Sequence, residues 1–148
     1  MNWEIAKTHK LDYLNSLPAD KYSFKAADST RNFAQQMLHL AHGNTFLAMN
    51  GTVQEPIMLN RNPEQTPSAQ TRDSVMYFVN ASYDFVIEGI KKPDSNKLGE
   101  KVHRNLGNRD ETRYAWIRKA FEHQTHHLGQ ATIYIRLAGL RPPNEQLF

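Results

Sequence analysis

The sequence predicts an all-α fold, an antiparallel four-helix bundle, and three observations lead there. Apolar residues recur at spacings of three and four in four separate stretches. Each stretch ends at a proline, an Asn-Gly pair, a polar turn cluster or a Gly…Pro-Pro stop. Between them, no segment alternates apolar and polar residues as a half-buried strand does. At 148 residues, the chain 1–148 has the length of one domain and can bury a core of its own.

The first helix is expected from Trp3 to Leu17, with Trp3, Ala6, Lys10, Tyr13, Leu14 and Leu17 near one face. Pro18 closes it by removing a backbone donor and clashing with the previous turn. A short connection follows, in which Tyr22 and Phe24 pack against the bundle end. Asp28-Ser29-Thr30 offers N-cap oxygens. The second helix is expected from about Thr30 to Met49, where Asn50-Gly51 stops it. Residues Thr52 to Pro67 hold Pro56, Pro63 and Pro67 and read as a long connection with little regular structure. Its length suits a crossover between parallel helices. The third helix covers Ser68 to about Ile90, with Val75, Phe78, Val79, Ser82, Phe85, Val86 and Gly89 at the helical period. After a break from Pro93 to Asn108, the fourth is expected to start at Arg109-Asp110-Glu111, acids in its first turn favouring the macrodipole. It runs to about Ala138, then meets Gly139 and Pro142-Pro143.

Composition narrows the classes further. The chain is 39% hydrophobic and 22% charged, as an ordinary globular protein is. It has no cysteine, which excludes disulfides, thiolate ligands and a cysteine nucleophile and fits a reducing compartment. Met1-Asn2-Trp3-Glu4 lacks the apolar run of a secretory signal, and no stretch approaches the roughly 18 apolar residues of a membrane span. A cytoplasmic protein with no membrane partner is expected. The net charge is +3, but the basic residues between Lys91 and Lys119 are interleaved with Asp94, Glu100, Asp110 and Glu111. They read as a solvated face rather than a nucleic-acid surface.

The histidines carry the chemistry. There are seven, and three crowd into the fourth helix as His123, His126 and His127. At about 100° per residue, only His123 and His127 stack on one face, about 6 Å apart and close enough to share an ion. Trp116, Ala120, Ala131, Tyr134 and Ala138 lie on the same arc, which is the burying face; His126 lies on the shoulder. Two buried imidazoles together need partners for four ring nitrogens, and a divalent cation takes one lone pair from each. Imidazole suits zinc, nickel, iron or copper. A core histidine is ordinarily just hydrogen-bonded, so the pair invites a cation without requiring one. Gln130 and Tyr134 are placed to line the same cavity, Tyr134 foremost as a core aromatic. A third ligand must come from another helix, and the residues leave His39 and His42 equal. Leu38, His42, Thr45 and Met49 form one stripe of the second helix; Gln35, His39 and Phe46 form another.

Two segments resemble the DinB-like family of damage-inducible proteins, which is distinct from the DNA polymerase sharing that label. One is Ser29 to Leu47, with Phe33-Ala34-Gln35-Gln36-Met37-Leu38-His39-Leu40-Ala41 and Asn44. The other is His123 to Pro143, with His123-Gln124-Thr125-His126-His127-Leu128-Gly129-Gln130, Tyr134-Ile135-Arg136-Leu137 and Gly139-Leu140. The resemblance implies an up-down-down-up bundle with a long crossover between helices two and three. It also implies a three-histidine metal site that, carried over by position, is His39, His123 and His127. His42 and His126 become outer or surface residues. A zinc or nickel ion and a homodimer are further implications. Family members commonly carry arginine where this chain has Leu128.

Three protein ligands leave a coordination position open, as in catalytic rather than structural sites. Such a cation lowers the pKa of a bound water or holds a thiol as thiolate. Thiol-dependent transferases and isomerases in the wider superfamily make an S-transferase acting with a low-molecular-weight thiol the first expectation and a small-molecule hydrolase the second. The competing class is a non-catalytic metal- or ligand-binding stress-response module. Nucleic-acid binding is suggested only by the family label and the mild basicity. No catalytic acid or base is assigned: Glu122 points away from the pair, and Asp84 and Glu88 have no evident role.

Overall fold

The computed structural model describes residues 1–52, 62–91, 97–104 and 109–146. Four helices dominate it: α1 (Trp3–Ser16), α2 (Phe33–Gly51), α3 (Arg72–Lys91) and α4 (Arg113–Leu137). Side-chain pairs between them give their directions. On α1 and α3, Lys10 Nζ donates to Asn80 and Arg72 to Asn15, so low numbers meet high and the helices run antiparallel. On α2 and α3, Asn44 donates to Ser82, and the two helices are parallel because α3 opposes α1 while α2 opposes α4, which runs with α1. On α2 and α4, Gln36 meets His127 and Gly51 lies against Arg113 and Ile117, again antiparallel. Trp3 packs on Phe121 and Tyr13 meets Thr132, so α1 and α4 run parallel. The bundle is up-down-down-up, as the family resemblance implied.

The helix faces follow the sequence periodicity. Trp3, Ala6, Lys10, Tyr13 and Leu14 are buried on α1, and Val75, Val79, Ser82, Phe85, Val86 and Gly89 on α3. Leu17 is extended, as a residue before proline is driven to be. Tyr22 is buried, its ring packing on Phe33 and its hydroxyl donating to Leu14 O at 2.8 Å.

Three boundaries differ from expectation. The cap of α2 is Asn32, not the Asp28-Ser29-Thr30 run: its side chain accepts from Gln35 N while Gln35 Oε1 accepts from Asn32 N. This reciprocal pair satisfies two free donors at once, which a lone serine or threonine cap does not. Ser68 belongs to a 3₁₀ turn, Pro67–Gln70, and α3 starts only at Arg72. The largest correction is at the fourth helix. Arg109–Thr112 is not its first turn but a strand, β2, paired antiparallel with β1 (Lys101–Arg104). Asp110 accepts from His103 across this ladder at 2.7 Å, and Thr112 takes the cap role by accepting from Ala115 N. Val102 is the one apolar residue of the two strands, so they lack the alternation by which strands are recognised. Backbone oxygens of Glu100 and Leu98 accept from Arg113 N and Tyr114 N, so the hairpin also closes the start of α4.

At its other end α4 closes as expected. Gly139 sits at φ +80°, Leu140 N donates to Ile135 O and Gly139 N to Arg136 O, the two bonds of a glycine-terminated helix end. In the crossover expected to lack structure, Pro63–Gln65 and Pro67–Gln70 form 3₁₀ turns; positions 53–61 lie outside the described residues.

Candidate metal centre

The α2–α4 interface is where the histidines meet. Gly43 on α2 admits the His123 ring: a β-carbon there would stand 2.0–2.6 Å from three of its atoms. A similar gap at Gly51, where a β-carbon would lie 2.5 Å from Arg113 O, lets the start of α4 approach equally closely. The two helices therefore touch nearly backbone to side chain, and the space left between them holds imidazoles.

His123 and His127, one turn apart, have ring centroids 4.3 Å apart, and His39 reaches across from α2 to within 5.4 Å of the first and 4.7 Å of the second. One nitrogen from each of the three lies within 4.8 Å of the others. Zinc–nitrogen bonds are about 2.0–2.1 Å, so inward turns of the rings on the order of 1 Å would bring the set to bonding distance. The structure thus contains a three-histidine cluster capable of coordinating a metal ion. His42 is not in it; its ring stacks on Phe46. His126 is exposed and only flanks His127, at 4.9 Å.

Each ring is held differently. His39 Nδ1 lies 2.7 Å from Glu64 Oε1, and Glu64 Oε2 accepts from Arg31 Nε at 2.8 Å. Arg31 Nη2 also reaches His39 Nδ1, at 3.2 Å. Burial alone would raise the Glu64 carboxyl, but hydrogen bonds from Arg31 and His39 outweigh it and hold the group below the usual carboxylate range. His127 Nδ1 meets Gln36 Nε2 at 2.6 Å, and Gln36 also donates to Gln130 Oε1. His123 Nδ1 is buried with no hydrogen-bond partner among the described residues. A buried, unsatisfied ring nitrogen beside two other imidazoles is a costly arrangement.

The electrostatics agree. Burial, reinforced by repulsion from His127, His39, His126 and His42, pushes the His123 pKa down to about 3. Burial and the neighbouring histidines likewise lower His127 to about 4. Burial lowers His42 as well. The His123 and His127 rings are therefore neutral near pH 7.

A cleft of about 790 Å³ is lined in part by Arg31, Gln36, Glu64, Gln130 and Tyr134. It meets the cluster through Glu64 and Gln36, which touch His39 and His127, and none of the three histidines lines it. Gln130 and Tyr134 line this cleft together, whereas the cavity expected from their helix positions was that of His123 and His127, which do not line it. The Tyr134 hydroxyl donates to Arg31 O at 2.7 Å. The unplaced acids are elsewhere: Asp84 pairs with Lys7, Glu122 accepts from Arg118, and Glu88 is exposed. Leu128 is buried in the core.

Sequence reasoning missed Glu64, Arg31 and Gln36. For Glu64 a signal existed: Asn62-Pro63-Glu64 has the cap, first-turn proline and early acid of a helical start, and Asn62 Oδ1 does accept from Glu64 N. Gln36 and Arg31 carried none.

An up-down-down-up helical bundle with three imidazoles gathered between its second and fourth helices is the class that fold and site define. Residues 2–147 match the DinB family model, and the chain belongs to the DinB family. Its structure is similar to that of a DinB-like protein from Bacillus cereus, with a TM-score of 0.80, 16% identity, and 97% of this chain and 93% of that one covered. A conserved protein from Enterococcus faecalis is similar at a TM-score of 0.71 and 13% identity, over 91% of each chain. A DinB-like protein from Bacillus subtilis gives 0.69 and 17%, over 96% of this chain and 90% of that one. At such identities the likeness concerns the fold. No curated protein sequence is significantly similar to the chain.

Proposed function

We propose that His39, His123 and His127 hold one divalent cation, zinc or nickel, and that the chain uses it on a small-molecule substrate, first as a thiol-dependent S-transferase and second as a hydrolase. The observation that supports this most directly is the convergence of three imidazole nitrogens within 4.8 Å of one another. When bound, the cation supplies Lewis acidity, enough to favour a thiolate or an ionised water near neutral pH. The chain's own residues do the rest. Glu64 and Gln36 orient the His39 and His127 rings through Nδ1, so that Nε2 is the nitrogen each ring has left for the cluster. The cleft carrying Arg31, Gln130 and Tyr134 beside the cluster offers a substrate both charge and hydrogen bonds. We take the working unit to be a cytoplasmic homodimer, in keeping with the family and with a cysteine-free chain.

One observation favours a non-catalytic reading, a metal- or ligand-holding stress-response module. The carboxylate that touches the cluster, Glu64, is already engaged by Arg31 and His39 and is not free to move a proton. Elemental analysis of protein purified without chelator or affinity tag tests the cation, with one equivalent expected. Screening electrophiles for conjugation to low-molecular-weight thiols, with and without chelator, then separates transferase from binder. Chelator-sensitive conjugation supports the first; metal uptake without turnover of any thiol or ester substrate supports the second.

A further inference from the structure

Gln36 is only 2% exposed, and it links α2 to two residues of α4, His127 of the cluster and Gln130 one turn on. Its Nε2 lies 2.6 Å from His127 Nδ1 and donates to Gln130 Oε1, while Gln130 Nε2 lies 2.8 Å from His126 Nε2. An amide nitrogen donates and does not accept. Paired with it, His127 Nδ1 must be an acceptor, and the ring proton then sits on Nε2. That tautomer cannot ligate through Nε2, because the lone pair there is occupied by the proton. With Nδ1 facing Gln36, Nε2 is nonetheless the nitrogen left for the cluster. A ligating His127 must therefore carry its proton on Nδ1, and that proton needs an acceptor.

Gln36 can become that acceptor by turning its amide half a turn, so that Oε1 faces the ring. Gln130 must turn with it, since otherwise two amide oxygens would face each other across a buried contact. The pair therefore has two consistent settings, nitrogen towards His127 or oxygen towards His127. Changing between them also changes what Gln130 presents to His126, from a donor to an acceptor. The amides reverse without displacing either helix.

Building on the metal reading of the cluster, we propose that Gln36 is the positioning residue for His127: its amide selects the ring nitrogen that carries the proton. Cation binding reverses the Gln36–Gln130 pair and transmits the change to the exposed His126. Gln36 does not touch the cation; it acts through His127.

The test uses the full chain, zinc alone as the probe, and two variants of similar volume. Gln36→Met removes every polar atom, and Gln36→Glu supplies a permanent acceptor. Nitrogen-15 NMR of the imidazoles should show His127 protonated on Nε2 in the metal-free wild type and on Nδ1 once zinc is added. Gln36→Met should weaken zinc binding about 10–100-fold, measured by competition with a chelator. Gln36→Glu should hold the Nδ1–H form before any zinc is added and should bind zinc more tightly than wild type, a gain that mere packing damage cannot produce. If zinc binds through the three histidines but both variants match wild type in affinity and tautomer, the role of Gln36 is overturned and the site stands. If the wild type takes up no zinc, the metal reading falls and the reversal with it.

Discussion

The His123 ring occupies the space where a side chain on Gly43 would begin: a β-carbon at that position would stand 2.0 Å from His123 Cε1. Gly43 lies within α2, where its flexibility costs roughly 0.5–1 kcal/mol relative to alanine, so its place there answers to the ring opposite. Gly43→Ala should raise the intrinsic helix preference yet lower stability overall by about 1–3 kcal/mol through overpacking. It should also displace His123 and weaken metal uptake. Denaturant titration and metal binding by calorimetry, run on the same sample, would show both losses together. A stabilised variant with unchanged uptake would contradict the close approach.

The cluster geometry sets an order among five histidines. His39→Ala, His123→Ala and His127→Ala should each abolish one-to-one metal uptake. His126→Ala and His42→Ala should leave uptake within a few-fold of normal, because His126 faces solvent and His42 stacks on Phe46. Elemental analysis of the five variants decides. Damage from His126→Ala but not His127→Ala would reverse the facing of α4.

Of the three cluster histidines, the one that Glu64 touches is His39. Glu64→Gln keeps an oxygen within reach of Nδ1 but removes the charge that holds the His39 ring and binds Arg31. Metal affinity should fall by about tenfold, the lower end for outer-shell partners. Chelator competition measures it, and the His39→Ala, Glu64→Gln double variant should be no worse than His39→Ala.

The metal-free chain should lose stability in acid in a defined window. His123 and His127 ordinarily titrate near 6.5, and in the folded chain they are held to about 3 and about 4. Between these limits the unfolded chain binds protons that the folded chain refuses. Stability therefore falls as pH drops from about 6.5 towards 4, and these two groups contribute no slope above that window. His123→Gln should flatten the slope. Denaturation midpoints at several pH values between 7 and 4 test it.

Much of this architecture is legible in the residues because it rests on local chemistry. The faces of α1 and α3 follow from their apolar spacing, and His123 with His127 from the helical turn, since one helix suffices to define each. The choice of His39 over His42 was not open to periodicity. Both rings lie on a helix apolar almost all round, and the partner is set by Gly43, which lets α4 come close on one side only. The hairpin Lys101–Arg104 with Arg109–Thr112 escaped notice because Val102, opposite Glu111, is its single apolar residue, so no apolar–polar alternation marks it. Glu64 was hidden among prolines, where sequence offers a turn but not the ring to which it turns.

Because the three imidazoles belong to helices that run in opposite directions and stand far apart in sequence, a cation seated among them would rivet two distant parts of the chain. The unfolded polypeptide cannot gather all three ligands without paying the loop-closure entropy that folding has already absorbed. The thermal midpoint should therefore climb with free zinc, by the equivalent of about 2.7 kcal/mol at a hundredfold excess over the dissociation constant. Metal supply in the surrounding medium would then govern how long the folded chain survives, whatever reaction it serves.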